Sequence, residues 1–285
     1  MTRRILLATD GTEGSEGAFR LTRALAARDG ATVSVLTVIE PVPLYGVGTM
    51  EMAPVPDPGL ERARTEGLRK RVAEQVERMG DAEWDVRGET GAPARVIPAR
   101  ARDLNADLIV MGLGDHEAAD RWLGSETALK VMRLADRPVL GAHRTASGLP
   151  QLAVVAADFS VFSDRAAALA AALVGSEGRL ELVHASPGAG DEERDRGHRA
   201  GVEERMERLA ASIEGPAVST RIVHGDPGRT LLERAEEIGA DLVAAGSHGH
   251  GFFGRMLMGS VSTRLIRGAR CSVLIAPPRE GEETE

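Results

Sequence analysis

The chain has 285 residues, 42% of them hydrophobic and 27% charged, with a formal net charge of −8 and a pI near 5.5. That length suits two domains of roughly 100–200 residues each, the composition is that of an ordered globular protein, and the acidic balance argues against nucleic acid, whose binders carry a basic stripe. Apolar runs such as DLIVMG and CSVLIAP are far shorter than the roughly 18 residues of a membrane span, so the reading is a cytoplasmic protein with neither a nucleic-acid nor a membrane partner.

In chain order, RRILLATDG reads as a strand running into Asp10, followed by a polar turn and helix in GTEGSEGAFRLTRALAARDG and a second strand in ATVSVLTVIEP. A Pro/Gly-rich loop leads to the charged helix GLERARTEGLRKRVAEQVERMG, whose solvated faces suit i, i+4 ion pairs. A third strand in WDVRGE, the helix PARVIPARARDLN and a fourth strand in DLIVMG follow, and after a further loop and helix the fifth strand is RPVLGAH. RTASGLP, from Arg144 to Pro150, reads as a linker.

Beyond the linker the pattern repeats with a period of about 140 residues, the sign of a duplicated unit. LAVVAADFSVFSDRAAALAAALVGSEGRLELVHASP answers the opening and puts Asp158 where Asp10 stood; ADLVAAGSHGHGFFGRMLMGSVSTRLIRGARCSVLIAP answers the close. Residues 1–143 and 151–277 are thus expected to be two α/β domains, each a doubly wound, Rossmann-like parallel sheet of five strands, joined by 144–150 and ending in a frayed acidic tail, 278–285. The fifth strands are expected to be sheet edges, which invite pairing.

Doubly wound sheets take ligands beyond the carboxyl ends of their strands, where strand order reverses. With first and fourth strands adjacent, Asp158 faces the glycine loop after DLVAA, and Asp10 the loop after DLIVM. The second-half loop spells Gly246-x-x-Gly249, nine residues, then Gly259-Ser260, and Ser260 opens the helix SVSTRLIRGA. A helix start presents free N–H groups, glycines let the backbone approach an anion closely, and the Ser260 hydroxyl caps the helix or donates to an oxygen. The helix dipole adds about 0.3–1 kcal/mol, which favours an anion without specifying one.

Other patterns in the chain carry less. Gly249-His-Gly251-Phe-Phe-Gly254 matches the dinucleotide fingerprint in letters, but it follows a late strand and lacks an acidic residue about twenty positions on. Asp158 and Asp10 have a second reading as helix caps. His248 and His250 suit loop polarity or phosphate contact better than a metal, and Phe252 and Phe253 suit cover for the loop. The lone cysteine, Cys271, permits neither an intrachain disulfide nor a cysteine zinc site and reads as a buried core thiol. No nucleophile paired with a base stands out.

On these residues both halves resemble universal stress protein (UspA-type) domains, and the chain resembles a tandem member from Arg3 to Pro277. The motif that carries the resemblance is G-x-x-G, nine residues, G-[ST], matched in full by the second half. The resemblance implies strand order 3-2-1-4-5 and, in one large subgroup, bound ATP, expected here with Mg²⁺ bridging its phosphates. It places nucleoside contact on Asp158 with Ala157 beside it, an adenine border on Ala185, and ribose and phosphate contacts on Gly246, His248, Gly249, Gly259, Ser260, Val261 and Ser262. Some members lack the signature and do not bind ATP.

The first half keeps Asp10, Val38, Gly124 and Ser125, but Gly112-Leu-Gly114 replaces the G-x-x-G spacing, so its loop is one residue shorter. Asp115, Glu117 and Asp120 also bring negative charge there, where the second half has His248, His250 and Arg255. The expectation is therefore a nucleotide-responsive regulatory module that binds chiefly through its second half. A slow ATPase at the same site and an interaction scaffold without nucleotide are the alternatives. Its fifth strands are expected to dock the halves as an internal pseudo-dimer; a homodimer of two chains and an unknown protein partner are left open.

Overall fold

The computed structural model describes residues 2–40, 58–80, 83–114, 121–186, 192–249 and 258–277. The acidic tail and Asp115, Glu117, Asp120, His250, Phe252, Phe253 and Arg255 lie outside the described residues. The first half runs β1 (Arg4–Ala8), α1 (Glu16–Asp29), β2 (Thr32–Ile39), α2 (Pro58–Arg78), β3 (Asp85–Thr90), α3 (Pro93–Asp103), β4 (Leu108–Gly112), α4 (Arg121–Leu134) and β5 (Val139–Ala142). The second repeats it as β6 (Leu152–Ala156), α5 (Val161–Val174), β7 (Arg179–Ser186), α6 (Glu192–Ala211), β8 (Ala217–His224), α7 (Pro227–Ile238), β9 (Leu242–Gly246), α8 (Ser260–Gly268) and β10 (Ser272–Ala276).

The inner strands are unbroken apolar runs because helices cover both faces of the sheet. Leu6 and Val154 lie against α3, α4, α7 and α8, whereas Leu7 and Val155 lie against α1, α2, α5 and α6. Local chemistry sets the ends of the elements. Ser160 caps α5 by accepting the Ser163 N–H at 3.2 Å, and Asp226 caps α7 by accepting the Arg229 N–H at 2.9 Å with Pro227 next in line. Each half also clips its first strand to its fourth. Asp107 accepts the N–H groups of Arg3 and Arg4, and Asp241 those of Gln151 and Leu152, all within 3.1 Å.

Within each half the order is 3-2-1-4-5 and every pairing is parallel. The two fifth strands, expected as edges, pair antiparallel with each other, so the whole is one ten-stranded sheet whose outer strands are β3 and β8. Leu140 pairs with Leu274, its own counterpart in the repeat, which puts the pseudo-two-fold axis through that pair. Both are fully buried, and both core clusters draw side chains from both halves. Arg28 Nη1 donates to the Leu173 carbonyl at 2.9 Å, and Arg267 pairs with Glu126 at 2.6 Å, which ties α1 to the end of α5 and α8 to α4. Among the described residues no helix is long and apolar enough to cross a membrane.

One buried charge sits in the middle of β7. Glu181, 7% exposed, accepts from Arg234 of α7 at 2.7 and 2.8 Å and from Arg221 of β8 at 3.2 Å. Burial pushes its carboxyl upward, but the Arg234 and Arg221 guanidiniums outweigh that and hold it below its ordinary 4.5. Stability from this group is therefore complete above 4.5 and is lost as pH falls through the depressed folded value. Glu181→Gln is expected to destabilise the protein by about 1–3 kcal/mol at neutral pH. In urea denaturation the gap from wild type should close as the pH is taken below 4.5.

Candidate functional site

The reversal of strand order in the second half falls between β6 and β9, which are neighbours while their chain continuations lie on opposite sides. β6 gives out at Ala157, whose N–H still reaches the Val183 carbonyl at 2.9 Å. The chain then turns sharply: Phe159 sits at φ +64°, a left-handed conformation that costs a bulky side chain about 1–3 kcal/mol. Asp158 is the residue that turn presents. Its Oδ1 accepts the Ser160 N–H at 3.0 Å and the Ser160 hydroxyl at 2.6 Å, so Ser160, not Asp158, caps α5.

On the facing side, β9 ends at Gly246, and Ser247 N–H continues the pairing to the Ala276 carbonyl at 2.8 Å. Two bonds then fold the loop's far end back over the strand. Gly259 N–H donates to the Ser247 carbonyl at 2.9 Å, and the Ser262 hydroxyl to the Gly246 carbonyl at 2.7 Å. α8 therefore starts directly above the end of β9 with Gly259 as its cap residue and no side chain capping it. Its first-turn amides point into the crevice's end.

Close approach explains the glycines. A Cβ on Gly249 would lie 2.7 Å from Asp158 Oδ2, so only glycine lets this loop come against the carboxylate. A Cβ on Gly246 would lie 2.5 Å from Phe162 Cβ and 2.9 Å from its backbone carbon, neither of which is a flexible end. His248 is held by Ser247 Oγ at 2.9 Å and tilts against the Phe162 ring, 5.7 Å between centroids.

Between these elements is a cavity of about 410 Å³. Every second-half residue to which the resemblance assigns a nucleotide contact lines it: Ala157, Asp158, Ala185, Gly246, His248, Gly249, Gly259, Ser260, Val261 and Ser262. Its remaining wall includes Val183, Pro227, Leu231, Ala245 and Met258, with Ser163 from α5. Sequence reasoning passed over these because the wall of α7 becomes visible only once strand order is known. The Pro227 helix start was the available signal. α7 and α8 are pinned together there, since Asp226 pairs with Arg264, whose stem packs on Gly228. The Arg229 amide and the Arg264 guanidinium hold the Asp226 carboxyl below its ordinary range.

The first half repeats the frame and departs from it at the loop. Asp10 Oδ1 takes the Thr12 N–H at 3.0 Å and hydroxyl at 2.7 Å, as Asp158 does with Ser160, and Val38 pairs with Glu89 where Ala185 pairs with Val223. Gly112 ends β4, and Gly114 follows at φ +78°. Gly124 and Ser125, expected to end the loop as Gly259 and Ser260 do, instead lie inside α4, which begins at Arg121. Arg121 and Leu123 are good helix formers and extend the helix a turn earlier. Ser125, fifth in the helix, then spends its N–H within it.

Other candidates are structural. Cys271 is half-buried against the core, and burial, with the Asp241 charge near it, pushes its thiol up to about 12, so it stays protonated. Ser247 touches His248 but is only 4% exposed. Among the described residues no group of three or more His, Cys, Asp or Glu side chains could hold a metal ion.

Comparison with known proteins accounts for the repeat. The universal stress protein family model matches residues 1–142 and again 152–277. The chain belongs to the universal stress protein family. A universal stress protein of Mycolicibacterium smegmatis is 29% identical, covering 96% of this chain and 97% of its own. Crystal structures of a universal stress protein from Archaeoglobus fulgidus and of a putative one from Pseudomonas aeruginosa share the fold. Their TM-scores are 0.70 and 0.67, at 24% and 15% identity, covering 97% and 98% of this chain and 99% and 94% of theirs.

The glycine geometry separates two roles in this universal stress protein. Gly246→Ala is expected to destabilise it by about 1–3 kcal/mol, the cost of overpacking against backbone. Gly259→Ala, whose nearest new neighbour would be 3.5 Å away, should leave the denaturation midpoint near wild type. Chemical denaturation of the two variants side by side checks the contrast.

Proposed function

We propose that the second-half crevice binds an adenine nucleotide, ATP, and that the chain works as a cytoplasmic, nucleotide-responsive regulatory module, not as an enzyme. The observation that supports this most is the approach of Gly249 to Asp158 Oδ2 beside an uncapped α8 N-terminus, which joins a hydroxyl acceptor to an anion cradle in one cavity. On this reading Asp158 Oδ2 accepts from ribose, and the backbone at Ala157 and Ala185 borders the base. Val183, Leu231 and Ala245 supply the apolar wall. Gly246, Gly249, Gly259 and the amides of Ser260, Val261 and Ser262 surround the phosphates, with His248 and the Ser260 hydroxyl as further polar contacts.

The phosphates, and no group of side chains among the described residues, would hold a Mg²⁺ ion, whose charge would offset theirs. The two units of this reading are residues 1–143 and 151–277, joined by 144–150. The first unit, with Asp10, Val38, Gly112 and Gly114 in place but Gly124 and Ser125 inside a helix, is the non-binding partner. Regulation by occupancy requires that ATP favour one conformation over another. The net charge of −8 favours a protein over nucleic acid as the target of such a switch.

Titration calorimetry with Mg²⁺-ATP tests the reading. One site per chain is expected, weakened about 5–150-fold by Asp158→Ala, the loss of a hydrogen bond to a ligand worth about 1–3 kcal/mol. Gly259→Ala should weaken it with the fold intact, and Asp10→Ala should leave the isotherm unchanged. No heat with ATP, ADP or AMP, together with no nucleotide released from the purified protein, would rule the function out.

A further inference from the structure

The repeat contains an internal control for the strained turn at Phe159. Its counterpart, by the matching registers Ala8 with Leu36 and Ala156 with Val183, is Gly11, at φ +77°. Both halves make the same left-handed turn after the same aspartate, and glycine makes it without strain. Backbone geometry therefore does not explain a phenylalanine at this position. Its ring must do something that Gly11 does not.

The ring is held on two sides. It stacks on His184 of β7, 4.9 Å between centroids at 28°, and the Arg205 guanidinium of α6 lies over it, 4.1 Å from its centroid. His184 in turn bonds through Nδ1 to the Ala157 carbonyl at 2.7 Å, the peptide that leads into Asp158. In the first half the place of His184 belongs to Thr37. There α2 closes over the turn with Val72 and Leu68, within 3.2 and 3.8 Å of a Cβ built on Gly11. Thus the second half alone runs a continuous line of contacts from the exposed face of α6, through an aromatic ring and an imidazole, to the backbone on either side of Asp158.

We propose that Phe159 is a positioning residue: clamped between His184 and Arg205, its ring locks the Asp158–Ser160 turn so that the carboxylate faces Gly249 across the crevice. As a statement about ligand binding this rests on the nucleotide reading above; as a statement about the turn it does not. The aspartate turn of the first half lacks the ring clamp, and its Asp10 is exposed. A stacked cation and imidazole on one ring resist rotation of that ring in a way that an aliphatic side chain of similar volume does not.

Hydrogen exchange by mass spectrometry on the full chain, over residues 157–163, compares wild type with Phe159→Leu, Phe159→Tyr and Arg205→Ala. ATP calorimetry is run on the same samples. Phe159→Leu is expected to speed exchange of the Ser160 and Ser163 amides by about tenfold or more and to weaken ATP. Phe159→Tyr, which keeps the ring, should behave as wild type, and Arg205→Ala should fall between. Wild-type exchange in Phe159→Leu overturns the proposal even where ATP binds. Faster exchange in a protein whose wild type takes up no ATP upholds the positioning role and removes the nucleotide reading. Should Phe159→Leu fail to fold, Arg205→Ala decides: the residue is exposed, and exchange at the wild-type rate in that variant overturns the proposal.

Discussion

Each five-stranded sheet on its own would expose one apolar edge, and β5 and β10 meet because each supplies the other's missing hydrogen bonds. Everything central in the molecule depends on that seam. It buries Leu140 against Leu274, makes one core on each face out of side chains from both halves, and brings α8 against α4. It also stiffens the site from behind, because β9 is flanked on one side by β10 and on the other by β6. A crevice between two strands that are themselves central in a ten-stranded sheet has a rigid floor. What differs between the halves is decided above that floor, in the loops and the helix starts.

The duplication makes those differences interpretable. The same frame carries Gly11 in one half and Phe159 in the other, and Ala92 at the start of α3 where Asp226 caps α7. Each change in the second half adds a contact between an element lining the crevice and its neighbour. None of them alters the sheet. Such contacts hold the elements that line the second crevice, a pattern expected where side-chain geometry has to be maintained for a ligand.

Most of the frame was legible in the sequence because parallel strands buried on both faces are short unbroken apolar runs, and because the chain states the pattern twice. DLIVMG and DLVAAG could hardly be anything else between helical segments. The lining of the second-half cavity was legible for a related reason. Gly246 and Gly249 stand where the backbone comes close, to Phe162 and to Asp158, whereas a Cβ on Gly259 would meet nothing nearer than 3.5 Å. The first-half loop was misread at Gly124 and Ser125, since helix propensity upstream of the pair outweighs the pair's own preference for a terminus. Val183, Leu231 and Met258 were invisible as site residues because apolar side chains carry no chemical signature, and only topology turns them towards a cavity. Phe159 was invisible because a positive φ at a bulky residue cannot be inferred from its identity.

Charge sets which part of a nucleotide could lie beside Asp158. A carboxylate and a phosphate oxygen about 4 Å apart repel by about 4 kcal/mol at an effective dielectric of about 20, well beyond the 0.3–1 kcal/mol or so that an exposed helix terminus returns. On the proposed reading the phosphates therefore keep to the first turn of α8, and ribose hydroxyls, which donate to a carboxylate, lie on the Asp158 side of the crevice. The first half presents the same carboxylate at Asp10, yet its Gly124–Ser125 pair lies inside α4 and offers no free helix start at that point. On the proposed reading, one aspartate on a repeated strand end thus serves a nucleotide where a helix terminus stands clear to take the phosphates, and serves none where the helix has already begun.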